Sequence, residues 1–199
     1  MNNSYDDYQY KLKSLLENGN KNHKKEILKC KSLHEVNVYC KANRLTGQQL
    51  GPLTETWLIA NCQMTKNNAS DCIGDCKDKY MEDNEIKASS GGKDHNIFNY
   101  VQLRVNHKIE NYILTAYYLS HDNLNQLGEL FIFKVKKEEI IPLIFKHGGY
   151  AHGTKSKNGP ITLEDLKDES NSKEYDLRPK YGSALWKELL KYRVNESDL

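Results

Sequence analysis

Apolar residues recur along this chain with two different periods. Over residues 5–17, Tyr8, Leu12, Leu15 and Leu16 stand at helical spacing, and Asn18-Gly19-Asn20 ends the run. Further helices are predicted over 24–33, 35–43 and 53–64, the last with Trp57, Leu58 and Cys62 on its apolar stripe. Pro52 ahead of that helix suits a first turn, where a missing N–H costs little. After the Asn67-Asn68 loop, strands are predicted over 71–77 and 81–88, followed by a loop through Ser89-Ser90-Gly91-Gly92 to Asn96. Residues 97–105 read as a helix. Residues 112–119 and 129–136, rich in Ile, Tyr, Phe and Leu, read as strands, and 137–145 as a short helix limited by Pro142. A loop with four glycines covers 147–159, a polar stretch 168–174, and an amphipathic helix with Leu185, Trp186, Leu189 and Leu190 spans 183–193. No internal repeat is present.

The alternation of helices and strands predicts an α/β chain of one core. At 199 residues it is long enough to bury one, and two regions are expected: residues 1–50 as a helical N-terminal appendage and possible dimer arm, and 51–199 as the core. A mean hydropathy of -0.80 and the lack of any apolar run of membrane length exclude a membrane span. The first residues have neither the basic nor the apolar part of a signal peptide, so the cytoplasm is the expected location. Five cysteines, an odd number, point to reduced thiols rather than a disulfide framework. The net charge of +2 is nearly neutral, but between Lys146 and Pro160 three lysines and two histidines occur with no acid, a local basic patch.

Within that frame, the stretch around Asp75, Glu85 and Lys87 carries the most chemistry. Side chains two apart on a strand share a face, so Glu85 and Lys87 point one way while Ile86 and Ala88 point the other. A hairpin centred near Tyr80 sets Asp75 across from Glu85, and two facing carboxylates suit Mg²⁺, which takes one or two of them and keeps several waters. An acid-x-Lys pattern is common by itself: it also occurs at Asp75/Lys77 and Asp165/Lys167. Asp71 and Asp83 are alternatives to Asp75 as the first acid.

Four local patterns give the surroundings of this triad a likeness: Gly51-Pro52 with Glu55 on a helix, the Gly74-Asp75 turn, Glu85-Ile-Lys-Ala-Ser89, and Phe98-Asn-Tyr-Val-Gln-Leu-Arg104. Their order resembles the core of the PD-(D/E)xK nucleases, and within them the type II restriction endonucleases, over at most residues 51–136. The resemblance implies a mixed central sheet flanked by helices, Asp75 and Glu85 as ligands of Mg²⁺, Lys87 at the attacking water or scissile phosphate, and Glu55 as a further acid that completes the metal shell or bonds to Lys87. Gly74 stands where the family carries its proline. The implied activity is hydrolysis of double-stranded DNA to 5′-phosphate ends, with a companion methyltransferase in the same system.

Base readout calls for side chains that reach base edges, and two polar loops offer them. Ser89, Ser90, Lys93, His95, Asn96 and Asn99 lie in one; His152, Thr154, Lys155, Ser156, Lys157 and Asn158 lie in the other. One active site per chain predicts a homodimer for cutting both strands, with the N-terminal helices as its interface. Two other readings fit the same residues: a structure-specific repair nuclease, and a DNA-binding module without catalysis.

Overall fold

The computed structural model describes residues 22–68, 70–92, 95–151 and 159–199. The predicted helix over 5–17 and the residues Lys93, His152, Thr154, Lys155, Ser156, Lys157 and Asn158 lie outside them. The described residues form an α/β structure whose mixed central sheet is flanked by helices.

Three helices come first: α1 (His23–Ile27), α2 (Leu33–Ala42) and α3 (Gly47–Asn61). The Ser32 side chain accepts from the Glu35 N–H and so caps α2, which buries Leu33, Val36 and Cys40. At the start of α3 the Gln49 side chain accepts from the Thr46 N–H at 3.0 Å. This start lies six residues ahead of the predicted one, so Pro52 is inside the helix rather than in its first turn, and one backbone bond is missing there. The expected boundary between residues 50 and 51 therefore falls within a helix.

The central sheet has the order β1 (Thr65–Lys66), β2 (Cys76–Lys77), β3 (Asp83–Gly92), β5 (Asn111–Leu119), β6 (Glu129–Lys136) and β9 (Arg193–Val194). All neighbours are antiparallel except β3 and β5, which run parallel from Asn84↔Asn111 to Gly92↔Leu119. Strand parity divides the core. On one face Ile86, Ile113 and Ile132 pack with Ile27, Val36, Leu53, Trp57 and Leu58 of the first three helices. On the other, Tyr112, Leu114, Phe131 and Phe133 meet α4 (Lys137–His147), α6 (Ala184–Leu189) and a second sheet. Burial of a side chain such as Leu58, with no exposed surface, contributes about 2 kcal/mol.

The second sheet joins β4 (Tyr100–Arg104), β8 (Glu174–Leu177) and β7 (Gly149–Tyr150) in antiparallel order. Its β4 corrects the helix predicted over 97–105. Phe98, Tyr100, Leu103 and Val105 are all buried, two steps of two separated by one of three. A strand with one extra residue has this spacing, and read without partners it imitates a helix. The other differences are smaller. The strand predicted over 71–77 is only Cys76–Lys77, whereas β3 continues through the predicted loop to Gly92. The helix expected over 24–33 stops at Ile27. The closing helix ends at Leu189, and the chain then gives the sheet its edge strand β9. The polar stretch 168–174 follows a short α5 (Leu163–Lys167) and leads into β8. No described helix is long and apolar enough to cross a membrane.

Candidate functional site at an open strand edge

β2 pairs with β3 only through Cys76↔Asn84 and Lys77↔Asp83. Beyond that pair no described residue forms a strand beside the edge of β3 until His95, whose backbone exchanges two bonds with Gly92. A cleft of about 710 Å³ follows this open edge, with α3 on one side and β4 on the other. Asp75 occupies its near end. The Asp75 N–H donates to the Asn84 carbonyl at 2.8 Å, and its Oδ2 accepts from the Ile86 N–H at 2.7 Å, replacing the strand neighbour that is missing there. Backbone alternation then turns the N–H and C=O of Ala88 and Ser90 toward the cleft, which both residues line.

The turn that carries this arrangement is centred on Tyr80, as the pattern predicts. Asp78, buried, accepts from the Tyr80 and Glu82 N–H groups and pairs with Lys134 at 2.8 Å, so the tip is pinned to β6. Continuing the register by one residue sets Asp75 opposite Glu85. Gly74 makes the approach possible: its φ is +85°, and a Cβ there would stand 2.6 Å from the Asn84 carbonyl oxygen. A proline, fixed near −65°, does not fit this backbone.

Glu85 is 8 % exposed, and its Oε1 lies 2.6 Å from Lys87 Nζ. Burial, with the Glu85 charge second, pushes the Asp75 carboxyl up to about 6; the Ile86 N–H and the Lys87 charge act in the opposite direction. Glu55 reaches the same cleft from α3, but its partner is Lys66 at 2.9 Å, so the expected bond to Lys87 is not made. That hydrogen bond is also the main reason the Lys66 pKa is raised.

The two alternative first acids are engaged elsewhere. Asp83 accepts from Lys77 at 2.7 Å and from Asn67 at 2.9 Å, and Asp71 is exposed beside Ser70. Among the described residues no group of three or more His, Cys, Asp and Glu side chains is arranged to hold a metal ion. A pair of carboxylates is nonetheless enough for Mg²⁺, a hard cation that fills its remaining positions with water. Asp75 Oδ1 has no hydrogen-bond donor among the described residues, and cation charge would offset both the burial and the Glu85 charge that raise the Asp75 pKa. The donor set fits the ion.

Of the side chains expected to meet DNA, Ser89, Ser90 and Asn99 line the cleft, and Ser89 Oγ accepts from the Asn99 N–H at 2.9 Å. His95 and Asn96 do not line it. The His95 backbone holds the end of β3, and the Asn96 carbonyl accepts from the Tyr181 N–H. Sequence reasoning missed Gln48, Val101 as a cleft residue and Lys66 as the partner of Glu55. No protein-family model matches the chain, and no curated protein is significantly similar to it.

Proposed function

We propose that this chain is a Mg²⁺-dependent DNA endonuclease of the PD-(D/E)xK kind, acting at specific sites as type II restriction enzymes do. The observation that carries the reading is the convergence of Asp75, from the end of a hairpin strand, with Glu85 and Lys87 of β3 at one open strand edge. Order along the chain adds support: helix α3 with Glu55, hairpin, then the Glu85-x-Lys87 strand. The crossover from β3 to β5 departs from the family pattern, since it runs through β4 rather than a helix. The chemistry does not depend on that connection, because every group in the proposed machinery lies at or before residue 90.

Asp75 and Glu85 would hold the cation through their carboxylates. When bound, Mg²⁺ supplies a water of lowered pKa and positive charge against the developing phosphorane. Lys87, whose ammonium pairs with Glu85 at 2.6 Å, would orient the attacking water and meet a phosphate oxygen. Glu55, fixed by Lys66, adds negative charge behind Asp75 and keeps this end of the cleft selective for cations. The open edge of β3 offers backbone N–H groups of Ala88 and Ser90 to the phosphates that flank the break. Cutting both strands calls for two such chains, so the active form is a homodimer; a methyltransferase of the same specificity would protect host DNA.

Long unmodified duplex DNA incubated with the protein in Mg²⁺, with Ca²⁺ and EDTA as controls, tests the reading. Discrete fragments with 5′-phosphate ends in Mg²⁺ alone are expected. Cleavage restricted to branched or mismatched substrates would make the chain a repair nuclease, and binding without cleavage in any divalent cation would make it a DNA-binding module.

A further inference from the structure

The cleft wall opposite Glu55 is a strand with a fault in it. β4 meets β8 at Tyr100↔Leu177 and again at Leu103↔Tyr175: three residues forward on one strand against two back on the other. One residue is extra, and Val101 and Gln102 bulge out of the ladder into the cleft. Gln102 has φ +58°, in the left-handed region that costs a residue with a Cβ on the order of 1 kcal/mol. Its side chain is half-buried, and its amide has no hydrogen-bond partner among the described residues. The bulge thus adds strain and brings the fold no bond from Gln102. Bulges of this kind recur beside active sites because they re-aim a side chain.

The chemistry of the amide says at what. A phosphate presents only acceptors, and Lys87 with the Ala88 and Ser90 N–H groups already faces that need. An uncharged group with donor and acceptor side by side matches instead a base edge with the complementary pair, and adenine N7 and N6 form that pair in the major groove. We propose that Gln102 reads an adenine beside the scissile phosphate, and that the bulge in β4 exists to aim its amide. The proposal rests on the nuclease reading above and gives it a specificity residue.

The test uses the full chain and two variants, Gln102→Ala and Gln102→Gly. Glycine accepts the left-handed backbone without strain, so Gln102→Gly should melt at or above the wild-type temperature, which separates loss of reading from loss of fold. Each protein is given a pool of duplexes of random sequence, and both the DNA bound in Ca²⁺ and the ends cut in Mg²⁺ are sequenced. In both variants preference for adenine at one position of the target should fall about 10- to 100-fold while preferences elsewhere stand. Unchanged preference at every position, or weaker binding and cutting with an unchanged sequence profile, would overturn the assignment. A wild type that selects a sequence without an adenine contacted through Gln102 overturns it too. A wild type that neither binds nor cuts DNA brings down the nuclease reading itself.

Discussion

The two strands that wall the cleft are built on opposite plans. β3 is regular: ten residues, parallel to β5 with no break in register, alternating Glu85 and Lys87 with Ile86 and Ala88. β4 is five residues long, interrupted by a bulge, and strained at Gln102. Groups that must hold a reacting centre gain from a regular backbone held in unbroken register by its neighbour, whereas groups that must meet a particular surface gain from a local departure that aims them. On the proposed reading, chemistry belongs to the β3 wall and recognition to the β4 wall, and each change below acts on one wall or on the bond between them.

The largest effect is expected at Lys87. Lys87→Ala removes the ammonium paired with Glu85 and should lower the cleavage rate about 100- to 1,000-fold, measured in single-turnover digests, while the sequence bound in Ca²⁺ is unchanged. A variant that cuts at the wild-type rate would remove Lys87 from the chemistry. A variant that cuts slowly but with altered preference would break the division between the walls.

Gly74 comes next, because it lets the regular wall have an acid at its open edge. A methyl group there meets the Asn84 carbonyl at 2.6 Å on a backbone with φ +85°, so Gly74→Ala should cost about 2 to 3 kcal/mol and lower the thermal midpoint by roughly 4 to 10 °C. Calorimetry checks it, and an unchanged midpoint would mean that the hairpin shifts freely and that the position of Asp75 is not rigid.

Asp75→Asn tests the electrostatics of the same wall and has the opposite sign. The folded carboxyl titrates near 6, above its ordinary value of 3.8, chiefly from burial and then the Glu85 charge. A raised acid pKa contributes stability that is full below about 3.8 and is lost as pH rises through about 6. The ionised group is therefore a burden at neutral pH. In EDTA at pH 8, Asp75→Asn should stabilise the fold by on the order of 2 kcal/mol, roughly 4 to 8 °C, since the amide oxygen still accepts from Ile86. At pH 4 the difference should vanish. With Mg²⁺ restored at pH 8 the variant should fail to cut where the wild type cuts, which separates a stable fold from a competent site.

How much of this was legible follows from the same contrast. The hairpin about Tyr80 and the shared face of Glu85 and Lys87 came from strand parity, which survives wherever a strand is unbroken. β4 was hidden by the single residue that shifts its buried positions from steps of two to a step of three. β2 was overestimated because Cys72 and Gly74 both take positive φ, and at Gly74 that backbone choice goes with the approach to Asn84 rather than with local hydrophobicity. β8 lay behind a polar run, yet Asn171 is buried there, bonded to Tyr175. Glu55 was found by its place on the first core helix, but its partner Lys66 depends on a two-residue strand that only tertiary pairing creates.

The smallest expected effect lies where the walls meet. Ser89 is a β3 residue whose Oγ accepts from the Asn99 N–H, one residue before β4 begins, so this hydrogen bond ties the rigid wall to the bulged one. Asn99 is exposed and water can take over as acceptor for its N–H, so Ser89→Ala should cost only about 1 kcal/mol, or 2 to 4 °C. Its more telling readout is selectivity. If β3 holds the chemistry and β4 the recognition, loosening the tie lets Gln102 wander relative to Lys87, and cutting should spread to related sequences while the rate at the preferred one barely falls. An equal fall at all sequences would mean that the tie serves the reacting centre, and that the two walls work as one element.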